Sequence, residues 1–411
     1  MSLVPCHSSE IVHSARSGAS VWAGSQSTFA GTVEILPLGQ ALKRLKPEWA
    51  VLEAASESPS VFQSAGWAET VLAWRTKTPG GSIREFQVLT AYDRHGRLVG
   101  LWPIQFERRL GVVFAVGLGD PFNQYSDVLV HSGAERDSVV TAMLEALCAL
   151  GTVSGVLMRK VRTDAAANSC LSVRGFSTGD SGAAPMVDLR PYGDFAAYHG
   201  TVKSKTRKNL RNARNRLERS GVPLEHKVYD TAEDIAAVLE RSFALRAAWL
   251  EQEGLTSRAF LDSGFARFVR DVGAAHGTSL DLLAFELRQG ADMLSIQWGF
   301  VHNKRYYAFI AARNPAFDAQ SPGRLHLEDV IRSCAERGIE VVDFLAPDVD
   351  YKRTWATESV AIQDYAVAFN LRGRLVLGGL FETLRRFCKA AFAWMPNGVR
   401  QLVIRVAARI R

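Results

Sequence analysis

Apolar positions along this chain follow two rhythms, alternate residues in some stretches and every third or fourth in others, and the order of those stretches repeats. The folded pattern begins at 33–36, and helical spacing follows near 41–54 and 61–75 before Pro79-Gly80-Gly81 interrupts it. Strands are predicted over 83–92 and 97–106, joined at Asp93-Arg94-His95-Gly96, a hairpin signal. A strand (111–118), a helix (134–150) and another strand (153–161) complete the first set. The second half returns the same order: strands 279–287 and 291–301 around Arg288-Gln289-Gly290, a strand 305–313, a helix 325–337 and a strand 340–345. Two copies of strand–turn–strand–strand–helix–strand predict an internal duplication, with units over 32–190 and 191–371. Residues 1–31, rich in Ser, Ala and Gly without apolar periodicity, read as a disordered segment.

Between the copies, 203–219 carries eight Lys or Arg against one Glu. Leu210, Ala213 and Leu217 mark one helical face and Arg207, Arg211 and Arg214 another. This is either a solvated face with a narrow apolar seam or an electrostatic track for a phosphorylated acceptor, a lipid-linked sugar or nucleic acid. It has no aromatic residues for base stacking, which weighs against single-strand binding, and no sequence-specific nucleic-acid contact is expected. The helix 235–251 follows, with Arg246 and Trp249 one turn apart, as for a stacked pair lining a cleft or for plain packing.

The net charge of +7 is concentrated at one end. Residues 372–411 hold nine Arg or Lys against Glu382 alone, a balance of +8, so the preceding residues sum to −1. The high isoelectric point therefore belongs to a tail and not to a basic catalytic body. That tail has apolar residues at helical spacing (Leu377, Leu380, Phe381, Leu384) opposite Arg385, Arg386 and Lys389, and resumes after Pro396-Asn397-Gly398. A basic amphipathic pair of helices reads as a peripheral membrane contact, as an anionic-ligand site, or as a tail packed on the body. The five cysteines show no paired spacing and no Cys/His cluster has ligand spacing, so reduced thiols and no metal are expected. Without a signal segment or a long apolar span, the expected location is cytoplasmic, with the tail at the inner face of the membrane as its peripheral reading.

The sharpest local signal is the loop Gln320-Ser321-Pro322-Gly323-Arg324-Leu325 opening the helix of the second copy. Proline suits a first helical turn, where the N–H groups have no intrahelical partner and form an anion site. Gly323 lets a phosphate approach, and Arg324 adds a permanent positive charge. The same place in the first copy reads Gly119-Asp120-Pro121-Phe122-Asn123-Gln124-Tyr125-Ser126-Asp127, with two carboxylates and no glycine cradle at the helix start. The first copy is thus expected to have lost cofactor binding and to wall the acceptor cleft, through Asn123, Gln124 and Tyr125 or as a structural loop.

The run Ser321-Pro322-Gly323-Arg324-Leu325, then Asp343-Phe344-Leu345, then Tyr351-Lys352-x-x-Trp355 resembles the GNAT-superfamily acyltransferases called BioF2-like or cellulose-biosynthesis CelD-like. That branch is similar to the FemAB peptidyltransferases, which carry two GNAT units. The resemblance runs from about 33 to 370 and departs at one point. The family cradle reads Arg or Gln, two residues, Gly, one residue, Gly or Ala, whereas Gln320-x-x-Gly323-x-Leu325 keeps two of these three positions. It implies an α/β (α+β) fold of tandem GNAT-like units, each a mixed, mostly antiparallel sheet flanked by helices. It also implies acetyl-CoA as acyl donor, and a sugar or sugar precursor of a surface polysaccharide, free or lipid-linked, as acceptor. By the same resemblance Lys352 contacts substrate phosphate or stabilises negative charge, unless it is a plain surface lysine, and Arg246, Trp249 and Trp355 belong to the substrate site, to which the first-copy loop would add Asn123 and Tyr125.

Acyl transfer from a thioester needs a held acceptor, a place for its proton and a donor for the oxyanion. Asp343, in an otherwise apolar strand, reads as the general base or as a cap on a neighbouring backbone group. Tyr306, Tyr307 and Tyr351 are candidate donors to the departing thiolate, or packing residues. Two other functions share this sequence: a FemAB-like aminoacyltransferase using charged tRNA, and a non-catalytic regulator whose basic tail binds an anionic ligand.

Overall fold

The computed structural model describes residues 27–380, except 78–82, 220 and 256, and four isolated positions in the tail (391, 394, 395 and 399). Residues 1–26 of the expected disordered segment (1–31), the Pro79-Gly80-Gly81 break and nearly all of the tail beyond 380 lie outside the described residues, while Ser27 bonds to Glu145 and Ser138 and Gly31 opens the first strand, so that segment ends earlier than expected. In chain order the first half forms β1 (Gly31–Pro37), α1 (Leu38–Ala54), α2 (Ala65–Lys77), β2 (Ile83–Asp93), β3 (Leu98–Arg109), β4 (Val112–Gly117), β5 (Leu129–Val130), α3 (Arg136–Ala149), β6 (Gly155–Arg162), α4 (Asn168–Arg174) and β7 (Phe176–Asp188). The second forms α5 (Phe195–Thr201), α6 (Ser204–Glu218), β8 (Leu224–Tyr229), α7 (Ala232–Gln252), α8 (Phe265–Ala274), β9 (Asp281–Gln289), β10 (Asp292–His302), β11 (Arg305–Arg313), α9 (Pro322–Glu336), β12 (Val341–Asp343), α10 (Asp350–Arg353), β13 (Glu358–Ala368) and α11 (Leu371–Arg374).

All of the strands join one sheet, ordered β1-β2-β3-β4-β6-β13-β7-β12-β11-β10-β9-β8, with β5 beside β3. Read outward from the central pair β13–β7, the two wings match strand for strand, which is the duplication in three dimensions. The central pair is exchanged. β13, late in the chain, pairs with β6 of the first half, while β7 of the first half pairs with β12 of the second. Only β4–β6 and β11–β12 are parallel, and each pairs briefly before parting. Neither exchanged strand follows from the pattern read above.

Apolar faces close over this sheet on both sides. Phe285, Tyr306, Leu325, Val330, Ile331 and Cys334 form one core under α9. A larger core crosses the boundary between halves, where Phe122 stacks on Phe265 and Phe268 at ring distances of 4.9 and 4.6 Å. Each buried aromatic ring removes on the order of 150–250 Å² from water, so this seam binds the halves strongly. Among the described residues no helix is long and apolar enough to cross a membrane.

Candidate functional site

The start of α9 has the open geometry its sequence predicts. Pro322 has no N–H, the Arg324 N–H turns back to the Ser321 carbonyl (3.1 Å), and no described acceptor faces the N–H of Gly323. Ser321 sits at φ +53°, a left-handed conformation uncommon outside glycine and often found at functional turns. A Cβ added at Gly323 would meet nothing within 4 Å, so the space before the helix is clear. Leu325, the departure from the family cradle, is fully buried in the core and does not line that space. The Gln320 side-chain oxygen is enclosed without a hydrogen-bond partner.

A cavity of about 300 Å³ opens here, at the small end of the range for ligand sites. Ser321, Arg324, Tyr351, Thr354 and Trp355 form one wall, and α6 forms the other through Thr206, Asn209 and Arg216. The basic helix therefore roofs the cavity. Its Leu210, Ala213 and Leu217 are buried, as their spacing predicts. Arg214 departs from the expected cationic row: it pairs with Asp329 at 2.9 Å and docks α6 onto α9. Arg216 and Arg324 face the cavity, and no carboxylate among the described residues pairs with either.

Beyond the cavity the sheet parts. β11 pairs with β12 only from Arg305–Val341 to Tyr307–Asp343, and β11 then continues to Arg313 paired on its other edge with β10. Asp343 stands where they separate, but its oxygens are fully engaged. One accepts from Tyr125 Oη (2.8 Å) and from the Leu345 N–H (2.9 Å). The other faces Arg305 (3.3 Å) and Arg162 (3.5 Å), and the residue is 0% exposed. With both oxygens engaged in this way, the carboxylate has no open position to receive an acceptor's proton. The general-base expectation is corrected: Asp343 is a structural hub joining four segments. The alternative, a cap on a neighbouring backbone group, is what the Leu345 contact shows.

Lys352 is corrected in the same way. Its ammonium donates to the carbonyls of Phe344 (2.9 Å), Leu345 (2.9 Å) and Pro347 (3.1 Å), which uses all three N–H groups. Burial pushes its pKa down to about 8; Asp343 opposes that shift, while Arg246 and Lys160 add to it. The lysine holds the loop after β12 in place and has no hydrogen left for a substrate phosphate. Tyr306 is a core residue, 0% exposed and packed against Phe285, away from the cavity. Tyr351 is 39% exposed and reaches the cavity, so of the three candidate phenols it alone lines it.

Arg246 and Trp249 do stack, with the guanidinium carbon 4.3 Å from the indole centroid, and Arg313 lies over the same ring at 5.5 Å. The tyrosine of the first-copy loop reaches the second half through Asp343. Asn123 is buried, bonded to Ser126 at 3.2 Å, which removes it from the expected substrate contacts. Gln124 receives Lys160 Nζ at 2.7 Å. The expected obstacle to phosphate in this loop is different from its reading: burial pushes Asp120 up, but Arg159 and Arg258, then Arg109, pull it well below the usual carboxylate range. Sequence reasoning missed Lys160, Arg162 and Arg305, since none sits in a motif. Among the described residues no His, Cys, Asp or Glu group is placed to hold a metal.

The sequence of 204–353 matches the family model described as acetyltransferase (GNAT) domain. No curated protein matches the chain. Among solved structures, FemX is similar at TM-score 0.58 and 12% identity, covering 81% of this chain and 98% of its own. A conserved protein of unknown function from Bacteroides thetaiotaomicron VPI-5482 is similar at TM-score 0.50 and 12% identity, over 78% and 97% of the two chains. A tandem GNAT protein from the clavulanic acid biosynthesis pathway aligns over 82% of this chain and 99% of its own, at 12% identity and TM-score 0.47. With the α9 cradle and the parting strands both inside the matched segment, residues 204–353 carry a GNAT acetyltransferase domain, and the chain shares the fold of FemX.

Proposed function

We propose that the protein transfers an acyl group, acetyl above all, from coenzyme A to an acceptor held in the groove between its two halves. The single observation that carries this reading is the unobstructed start of α9. An open N–H at Gly323, with Arg324 and Arg216, which have no carboxylate partner among the described residues, would supply the positive end of a helix and two permanent charges to a diphosphate. The thioester would then lie in the gap beyond Tyr307 and Asp343, where backbone groups of β11 without a strand partner can serve the oxyanion. Tyr351 is the side chain placed to give a proton to the departing thiolate. The acceptor reading, a sugar or sugar precursor of a surface polysaccharide, rests on resemblance to the BioF2-like and CelD-like branch. In this reading 32–190 and 191–371 are the two units, and the basic tail brings the protein to an anionic membrane surface or ligand. Calorimetry with acetyl-CoA tests the donor: saturable binding, lost in Gly323→Glu, is expected, and absence of binding by the wild-type protein refutes it.

A second reading has one observation in its favour. The exposed cations of α6, among them Lys205, Lys208 and Arg211, have no carboxylate partner among the described residues and lie on the same helix as the cavity-lining Thr206, Asn209 and Arg216. They suit a polyanionic donor such as aminoacyl-tRNA as well as a dinucleotide-sized one. Binding of charged tRNA without binding of coenzyme A would select it.

A further inference from the structure

Strand register gathers four separate segments at one end of the sheet. Ala368, closing β13, pairs with Gly155, which opens β6, and Ala366 pairs with Phe176, which opens β7. β4 runs parallel to β6, and the Ser154 N–H donates to the Val113 carbonyl at 2.9 Å. The turn before β4, the ends of α3 and α4, and α11 after β13 therefore meet there. Their packing is direct: the Ser154 carbonyl accepts the Phe369 N–H at 3.0 Å, and a Cβ added at Gly373 would meet the same oxygen at 1.9 Å.

Each of these segments turns an aliphatic side chain outward. Leu110, Leu371 and Leu375 are 69, 68 and 67% exposed, and Leu150 and Val173 are exposed as well. Leu371 and Leu375 stand one helical turn apart, while Gly373 and Leu377 turn inward. One exposed leucine is ordinary on a protein surface; five aliphatic side chains from four segments at one end form a patch. The charges there have one sign. Arg108, Arg174, Arg372 and Arg374 lie in these segments, and 108–113, 150–155, 171–176 and 371–380 contain no Asp or Glu. Arg109, in the same turn, is held by Glu107. From this end the chain passes into 381–411, with seven Arg or Lys against Glu382, where Trp394 is 90% exposed.

We propose that this end of the first half, around Leu110, Leu371 and Leu375 with Arg372 and Arg374, is a docking face for an anionic lipid surface. Leucines interleaved with arginines, beside a basic stretch bearing an exposed tryptophan, suit the boundary between acyl chains and headgroups, where leucine is buried and arginine stays among phosphates. The choice of an anionic surface rests on the tail reading above, and the inference goes beyond it by giving the folded body a contact of its own. Met186, which pairs with Asp343, is ten residues along β7 from Phe176, about 30 Å at the rise of a strand. Lipid contact and acyl transfer thus occupy different ends of the sheet.

Co-sedimentation of the full-length protein with phosphatidylglycerol vesicles, and separately with phosphatidylcholine vesicles, tests the face. Binding to the first and not to the second is expected. It should weaken about tenfold or more when Leu371→Ser and Leu375→Ser are combined, and severalfold in Leu110→Ser and when Arg372→Gln and Arg374→Gln are combined. Val51→Ser should bind as wild type: Val51 is 70% exposed on α1, whose end adjoins the start of β3 through Ser56, His131 and Val99, away from the patch. Binding that survives the leucine substitutions unchanged would leave the tail as the contact and overturn the docking face while the tail reading stands. No binding by the wild type overturns both. A wild-type dimer in analytical ultracentrifugation, reduced to monomer by the same leucine substitutions, would assign the patch to a second copy and overturn the lipid face. The replaced side chains are exposed, so every variant should melt as wild type.

Discussion

Substitutions at Gly323 separate the fold of the cradle from its function. An alanine Cβ there would meet nothing within 4 Å, and the residue lies inside the first turn of α9. Gly323→Ala should therefore fold and gain about 0.5–1 kcal/mol from helix propensity. Gly323→Glu should also fold, because an acidic residue in a first helical turn interacts favourably with the helix dipole by roughly 0.3–1 kcal/mol. The ligand meets the opposite effect. A carboxylate about 6 Å from one phosphate charge, at an effective dielectric of about 20, is repelled by roughly 2.8 kcal/mol, and by about half that where water screens the pair. Acetyl-CoA should then bind about 10- to 100-fold more weakly to Gly323→Glu, with a melting temperature no lower than wild type. Calorimetry and thermal melting read both halves of that statement. Unchanged affinity in Gly323→Glu would refute the cradle, and a lower melting temperature would refute the claim that the site is sterically open.

Three further outcomes follow from buried groups. Lys352→Met leaves three loop carbonyls without their donor and should destabilise the protein by about 2–4 kcal/mol in urea titration, whereas a lysine that only contacted substrate would change KM and leave stability alone. Burial lowers the pKa of His226 and, with His226 as a further cause, pushes that of fully buried His326 well down. The unfolded chain then binds more protons than the fold below the ordinary histidine pKa of about 6.5, so stability should fall with pH there, by up to about 1.4 kcal/mol per pH unit for each histidine. Equilibrium unfolding between pH 7 and about pH 5 checks this, and a flat profile would contradict the neutral, buried assignment. Residues 204–353 expressed alone lose β7 and β13, and with them the Tyr125 and Arg162 partners of Asp343. That fragment should be unfolded by circular dichroism, and a cooperative melt would show that the exchanged strands are dispensable.

What the sequence reveals about this fold follows the range of the interactions involved. β11 lies where its β-branched and aromatic run places it, and α6 buries the three residues that its spacing selects. The cradle is legible because proline, glycine and a helix start are local signals. The exchanged strand β7 is not, since Gly179, Gly182 and Pro185 in Phe176–Asp188 are turn-forming types. It is a strand because β12 and β13 supply hydrogen bonds on both sides. Asp343 shows the same limit for the site. An acid in an apolar strand signals burial, but the tyrosine that meets it is 218 residues away, and no spacing rule spans that distance. Lys352 escapes for another reason: its acceptors are backbone carbonyls, which every residue has.

The two gaps in the sheet are equivalent in topology and differ in what surrounds them. β4 pairs with β6 only at Ala115–Val156 and Val116–Leu157 before parting, as β11 and β12 do. In the second half the space beyond stays open beside α9. In the first it is occupied: Phe122 packs onto α8 of the other half, Asp120 gathers Arg109, Arg159 and Arg258, and Tyr125 runs across to Asp343. Arg258 and Asp343 belong to the second half, so the filling of one gap is what fixes the halves at the other. A carboxylate that is 0% exposed tolerates no loss of its partners, and Asp343 draws them from β6 and β11 and from the loop ahead of β5. The groove therefore cannot form in either unit by itself. What the first half supplies is the support of that carboxylate, through Tyr125 and Arg162, at the point where β11 and β12 part.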